Sequence, residues 1–308
     1  MSAIINSSEY LEINDTMYLH IRDWGQGNPI VFLPGWPFGH EMFEYQFTQL
    51  PQQGYRCIGM SMRGFGKSSK PWGDYSYDVF ADDLHSVLHS LDPGNVTLVG
   101  FSMGGAIALR YMSRHKGEGI ANLVLCGAAA PSFTIRTGFP YGMEPGAVDS
   151  LIKLCYSDRA KLNADFGSIF FRNSNSVSPQ LMNWFQSLGM EASPYATAAC
   201  LATLRDSDLR EDIKSVNVPT VLFHGLHDQV CPFELAETMT APIELMPTGA
   251  EAMADGAEPT AGGIKGAKLI RFENSGHAMF YEEKDKFNTE LMNFIEKKPP
   301  SEKKFFPL

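Results

Sequence analysis

The chain has little cysteine and little positive charge. Its 308 residues hold five cysteines, at 57, 126, 155, 200 and 231. That odd, scattered set spells out no disulfide framework, and no CxxC pair or Cys/His spacing marks a metal site. They read as reduced thiols, which predicts a cytoplasmic protein, and Cys57 and Cys126 fall in apolar runs where they read as core residues. Lys and Arg number 25 against 35 Asp and Glu, a formal net charge of −10, which argues against nucleic acid and anionic membrane surfaces as partners. No apolar run approaches the length that spans a bilayer. The stretch from Met1 to Glu9 has neither the basic region nor the apolar segment of a signal peptide.

What is present is apolar and periodic. Hydrophobic residues make up 44% of the chain, enough for one large core plus a subdomain. Apolar strand-like runs at Tyr10–Ile13, Met17–Trp24, Ile30–Leu33, Tyr55–Met60, Val96–Val99, Leu123–Cys126, Val218–Phe223 and Lys268–Phe272 alternate with helical spacing at 41–50, 77–91, 103–115, 232–239 and 284–297. The first two runs read as an antiparallel pair joined by Asn14-Asp15. The alternation of the rest predicts βαβ units and a mostly parallel eight-stranded sheet flanked by helices, an α/β fold. Between about 131 and 210 strands give way to four helical patches, read as a helical cap inserted into a core formed by 1–130 and 211–300. Such a cap covers the carboxyl edge of the sheet, where open α/β sheets bind ligands. Its aromatics, Phe139 and Trp184 among them, are expected to line a substrate pocket. Residues 241–263, rich in Ala, Gly, Pro and acid, read as a flexible surface loop, and the tail from Lys297 as frayed.

One pentapeptide carries most of the chemistry. Gly100-Phe101-Ser102-Met103-Gly104 follows the Val96–Val99 run and precedes a helix start, the setting of a nucleophile elbow. The sharp turn lifts the Ser102 hydroxyl from the sheet and aims the first amides of the next helix at whatever the serine attacks. A serine hydroxyl needs a base, and the base an orienting carboxylate, in chain order Ser, acid, His. Asp228 stands in the turn after Val218–Phe223, and Ser275-Gly276-His277 follows the last run, so Ser102, Asp228 and His277 all fall just beyond carboxyl ends of strands. Asp206, Asp208 and Asp212 are rival acids on a connection from cap to core. Of the eight histidines, His85 and His89 lie one helical turn apart with no third ligand and read as a solvated face. His224 reads as packed or hydrogen-bonded, and His227 as pointing elsewhere. The oxyanion donors are expected to be the Met103 amide and, in the Leu33-Pro34-Gly35-Trp36-Pro37 loop, the Trp36 amide, since Pro34 and Pro37 have none.

These residues together resemble the α/β-hydrolase superfamily, and more specifically its cofactor-free haloperoxidase, perhydrolase and arylesterase group. The similar stretches are Gly35-Trp36-Pro37 with Met42 to Gln46, Arg63 to Trp72, Ala81 to Leu84, Thr97 to Gly105, and Val218-Pro219-Thr220 through Val230 to Phe233. The resemblance implies Ser102 as nucleophile, Asp228 as acid, His277 as base, Trp36 and Met103 as oxyanion donors, and no metal or organic cofactor. Pro37 matches members that also make peracids from hydrogen peroxide and short carboxylic acids. Two positions depart from the pattern: Pro34 stands where the family has His, and Ser61 where it has Asp. The expected activity is hydrolysis of a carboxylic ester or lactone. Perhydrolysis is the alternative, and a non-catalytic ligand receptor on the same fold is the reading from another class.

Overall fold

The computed structural model describes residues 9–240 and 262–297. The loop read at 241–263, apart from its last two residues, and the tail beyond Lys297 lie outside the described residues.

The chain opens with an antiparallel pair, β1 (Tyr10–Asn14) and β2 (Met17–Gly25), followed by β3 (Asn28–Leu33), α1 (Glu44–Gln49), β4 (Tyr55–Met60) and α2 (Tyr77–Leu91). Next come β5 (Val96–Phe101), α3 (Met103–Arg114) and β6 (Ile120–Cys126). Four helices then intervene, α4 (Pro145–Ser157), α5 (Arg159–Phe170), α6 (Pro179–Met190) and α7 (Pro194–Asp206). The chain returns with β7 (Thr220–Gly225), α8 (Phe233–Thr240), β8 (Lys268–Phe272), α9 (Met279–Glu282) and α10 (Lys284–Ile295).

The eight strands form one sheet in the order β1-β2-β4-β3-β5-β6-β7-β8. β1 and β2 are antiparallel to their neighbours, and every pairing from β4 through to β8 is parallel. A parallel strand covered on both faces has no polar side, which is why β5 and β7 are buried along their whole length and read as unbroken apolar runs. Two apolar clusters fill the two faces. One joins α2, α3 and the inserted helices, and the other packs α1, α9 and α10 with Phe170 and Phe185. The order steps outward in both directions from β3 and β5, so the loops leaving these two strands face each other across the switch point at the carboxyl edge.

The helix expected over 41–50 is shorter. A 3₁₀ turn spans His40–Phe43, α1 follows, and a second 3₁₀ turn at Leu50–Gln53 carries Pro51 near its start. Proline there fits the first turn of a helix but cannot continue one. Among the described residues no helix is long and apolar enough to cross a membrane.

Candidate active site

β5 ends in the elbow. Ser102 adopts φ 54°, ψ −119°, a conformation that side-chain-bearing residues hold only when their surroundings enforce it. Here its amide donates to the Cys126 carbonyl at 2.9 Å, and its own carbonyl accepts from Gly105 at 2.9 Å and Ala129 at 3.0 Å. Neighbouring strand and following helix therefore clamp it from both sides. Gly104 is required by the closeness of β3: a Cβ there would collide with the Leu33 carbonyl oxygen and come within 2.7 Å of that of Pro34. The serine side chain is 6% exposed and opens onto a cavity described below.

The acid is set by the turn after β7. Asp228 Oδ1 accepts from the amides of Val230 at 2.8 Å and Cys231 at 2.9 Å, while Oδ2 lies 2.7 Å from His277 Nδ1. Burial opposes ionisation of Asp228, yet His277 and His224 outweigh it and hold the carboxyl well below the usual range. A carboxylate only accepts, so Nδ1 of His277 carries the hydrogen and Nε2 presents its lone pair. The ring is fully buried, with Phe101 at 4.6 Å and Phe170 at 5.7 Å between ring centroids. Nε2 makes no hydrogen bond among the described residues, so Ser102 does not occupy it in this state.

The amides expected as oxyanion donors flank the serine. Met103 is the first residue of α3, where amides lack an intrahelical acceptor. Trp36 is held by its indole, whose Nε1 donates to the Thr197 carbonyl of α7 at 3.0 Å. Gly35 admits the close approach: a Cβ there would sit 2.8 Å from the Ser102 Cβ.

The departure at Ser61 has a structural answer; nothing in the structure explains the one at Pro34. Ser61 Oγ accepts from the His40 amide at 3.1 Å and lies 3.0 Å from His40 Nδ1. The missing carboxylate is supplied by Glu41, whose Oε1 lies 3.3 Å from His20 Nδ1. Burial pushes His40 down to about 3, with His20, Arg22 and Lys67 adding to it and Glu41 opposing. Burial favours a neutral Glu41, but the hydrogen bond from His20 and the facing His40 outweigh it and hold that carboxyl at about 2. Donor atoms of His20, His40 and Glu41 lie within 4.8 Å of one another. The adjacent cationic Arg22 and Lys67 work against a further cation there, and the cluster reads as a buried polar brace for the loop that carries Trp36.

The substrate-facing residues require correction. The cavity beside Ser102 has a volume of about 330 Å³ and is lined by Trp36, Phe133, Met143, Leu151, Leu154, Leu162, Asp165, Phe166, Ser168, Ile169, Leu201, Leu204 and Val230. Phe139 and Trp184 are not in that lining. Phe139 is buried and packs on Tyr141, while Trp184 packs on Phe185 and Tyr281, on the other face of the sheet. Pro37 is also absent from the lining. It is buried, and its Cγ would be 3.2 Å from a Cβ added to Gly189 on α6. The rival acids are engaged elsewhere: Asp206 with Arg205, Asp208 with Arg210, and Asp212 with Arg110.

Sequence reasoning missed two neighbours of the acid. His224 is packed and hydrogen-bonded, its Nε2 donating to the Cys231 carbonyl at 2.8 Å, but it also stands 3.3 Å from Asp228 Oδ2. The i, i+4 spacing of His224 and Asp228 across a strand end was the available signal. Cys231, buried, ties the turn through its amide and carbonyl.

The fold and this site define an α/β hydrolase. The chain matches the family model for the alpha/beta hydrolase fold over residues 28–149. It is 44% identical over 285 residues to the AB hydrolase superfamily protein YisY of Bacillus subtilis, covering 92% of this chain and 98% of that protein. It is 32% identical over 288 residues to a non-heme chloroperoxidase of Kitasatospora aureofaciens, covering 92% and 98%. An esterase from Exiguobacterium antarcticum has a solved structure with TM-score 0.83 and 40% identity, covering 93% of this chain and 98% of that one. The chain belongs to the α/β-hydrolase family.

Proposed function

We propose that this protein is a serine hydrolase of carboxylic esters or lactones, working through Ser102, His277 and Asp228. The observation that carries the reading is the buried Asp228–His277 contact of 2.7 Å, which leaves Nε2 unengaged on a ring that packs 4.6 Å from Phe101, the residue before Ser102. His277 Nε2 takes the Ser102 proton as Oγ attacks the carbonyl carbon, and the Trp36 and Met103 amides receive the oxyanion. His277 then gives that proton to the leaving oxygen, whose bond to the acyl carbon breaks. Water, deprotonated by the same nitrogen, releases the acid and restores Ser102. Each step uses this chain's groups and water. The inserted helices serve as the cap, since α4, α5 and α7 contribute most of the cavity wall.

A second reading is perhydrolysis, with hydrogen peroxide replacing water at the acyl-enzyme. Likeness to the non-heme chloroperoxidase favours it. The test is hydrolysis of p-nitrophenyl acetate and butyrate by wild type and Ser102→Ala, beside a reaction of acetate with hydrogen peroxide. Ester turnover lost by at least about 10³-fold in the variant supports the serine mechanism, and peracid formation ranks the second reading beside it. Tight ligand binding without turnover in any arm would favour the receptor reading instead.

A further inference from the structure

The cavity at Ser102 holds information about the substrate beyond the reaction class. Its wall includes aliphatic side chains of three inserted helices, Leu151 and Leu154 on α4, Leu162 and Ile169 on α5, and Leu204 on α7, of which Leu162 and Leu204 are buried. Asp165 and Ser168, also on α5, are exposed and so mark its solvent end. Asp165 is the only charged residue in the lining, and Lys161 outside it is its partner. No cationic side chain faces the cavity among its lining residues. A carboxylate, phosphate or sulfate placed there would lose its hydration without gaining a counter-charge.

The side of the substrate that enters also follows from placement. The leaving oxygen must reach His277 Nε2, and His277 is not part of the lining, whereas Ser102 and Trp36 are. The cavity thus opens on the serine and oxyanion side, the side that holds the portion staying on the serine. At roughly 30 Å³ for each non-hydrogen atom, as for liquid water, a volume of about 330 Å³ admits a chain of roughly eight to ten carbons.

We propose that the cavity is an acyl-chain site for neutral, medium-length acyl groups, delivered as esters or lactones and not as free acids. The inference rests on the serine-hydrolase reading above. It also bears on the second reading, because an acyl-enzyme would then form from an ester in preference to an ionised carboxylic acid.

The test begins with stoichiometric labelling of Ser102 by a fluorophosphonate, followed by kcat/KM for p-nitrophenyl esters from acetyl to dodecanoyl. The expected result is a rise of up to about fourfold per methylene as far as roughly the octanoyl ester, then a fall. Leu154→Trp lowers the octanoyl-to-acetyl ratio by at least about tenfold, because the larger indole takes up cavity volume that a long chain would need. An acyl chain ending in a carboxylate is turned over at least about 10²-fold more slowly than its methyl-ended counterpart, and Asp165→Lys narrows that gap. A labelled protein whose kcat/KM falls steadily from acetyl onward, or whose ratio ignores Leu154→Trp, overturns the acyl-site inference and leaves the hydrolase reading standing. A folded protein that takes no label and turns over no ester overturns both.

Discussion

Asp228 faces two histidines at once, and its two oxygens have separate tasks. Oδ1 is committed to the amides of Val230 and Cys231, both donors, while Oδ2 meets His277 and stands near His224. Replacing Asp228 by Asn would keep the shape and reverse one partner. The amide oxygen would be retained by the two backbone donors, which turns the NH₂ toward His277 Nδ1. That nitrogen would then have to accept, its hydrogen would move to Nε2, and the base facing Ser102 would be gone. The expected outcome is a fall of about 10³–10⁴ in kcat/KM on p-nitrophenyl esters, with circular dichroism and melting temperature close to wild type. An Asn variant retaining a tenth of the activity would show that His277 is oriented by something other than Asp228.

At the level of elements, the elbow works because β3 and α3 approach almost backbone to backbone. Gly104→Ala tests that directly, since the new methyl has no room before the Leu33 and Pro34 carbonyls. Overpacking of this kind costs about 1–3 kcal/mol, a drop of roughly 2–10 °C in melting temperature for a chain of this size. Activity should fall further than stability, because a displaced α3 moves the Met103 amide. Equal losses measured by calorimetry and ester kinetics would mean that helix position does not matter to the site. Strands of this kind were legible in sequence because two-sided burial leaves mostly apolar residues, as in Val96–Phe101, where Thr97 is the one polar side chain. The Ser102 turn was legible because two glycines and a strand-to-helix change mark it. The pocket was not. Aromatic content does not say which face a cap helix presents, and α6 turns Trp184 toward Phe185 and Tyr281 while leucines of α4, α5 and α7 wall the cavity. Nor was the brace of the Trp36 loop legible, since His20, Glu41 and Ser61 come from three separate segments and meet only in the fold.

For the whole molecule, that brace makes stability depend on pH in a stated direction. His40 is 1% exposed and its pKa is lowered from 6.5 to about 3, so below about pH 6.5 the unfolded chain takes up a proton that the folded chain refuses. Stability is lost as pH falls from 6.5 toward 3, at a limiting rate of about 1.4 kcal/mol per pH unit for one proton. Glu41, held at about 2 against a usual 4.5, adds the same sign between 4.5 and 2. The raised carboxyls Asp83, Asp212 and Glu282 act in the opposite sense. At the alkaline end, burial raises Cys57 to about 12 and Cys155 to about 11, so stability declines again as pH rises above the ordinary thiol value near 9. The molecule is therefore expected to be most stable between about pH 6.5 and 9. Urea unfolding of wild type and His40→Asn from pH 4.5 to 8 isolates the histidine, because every other group is common to both proteins. The variant, whose side chain still reaches Ser61 but takes up no proton, should show a flatter dependence between 6.5 and 4.5 whatever its absolute stability. Parallel curves across that window would mean that His40 is protonated in the folded state, and that the brace holds a charged imidazole against Glu41 instead of a neutral one.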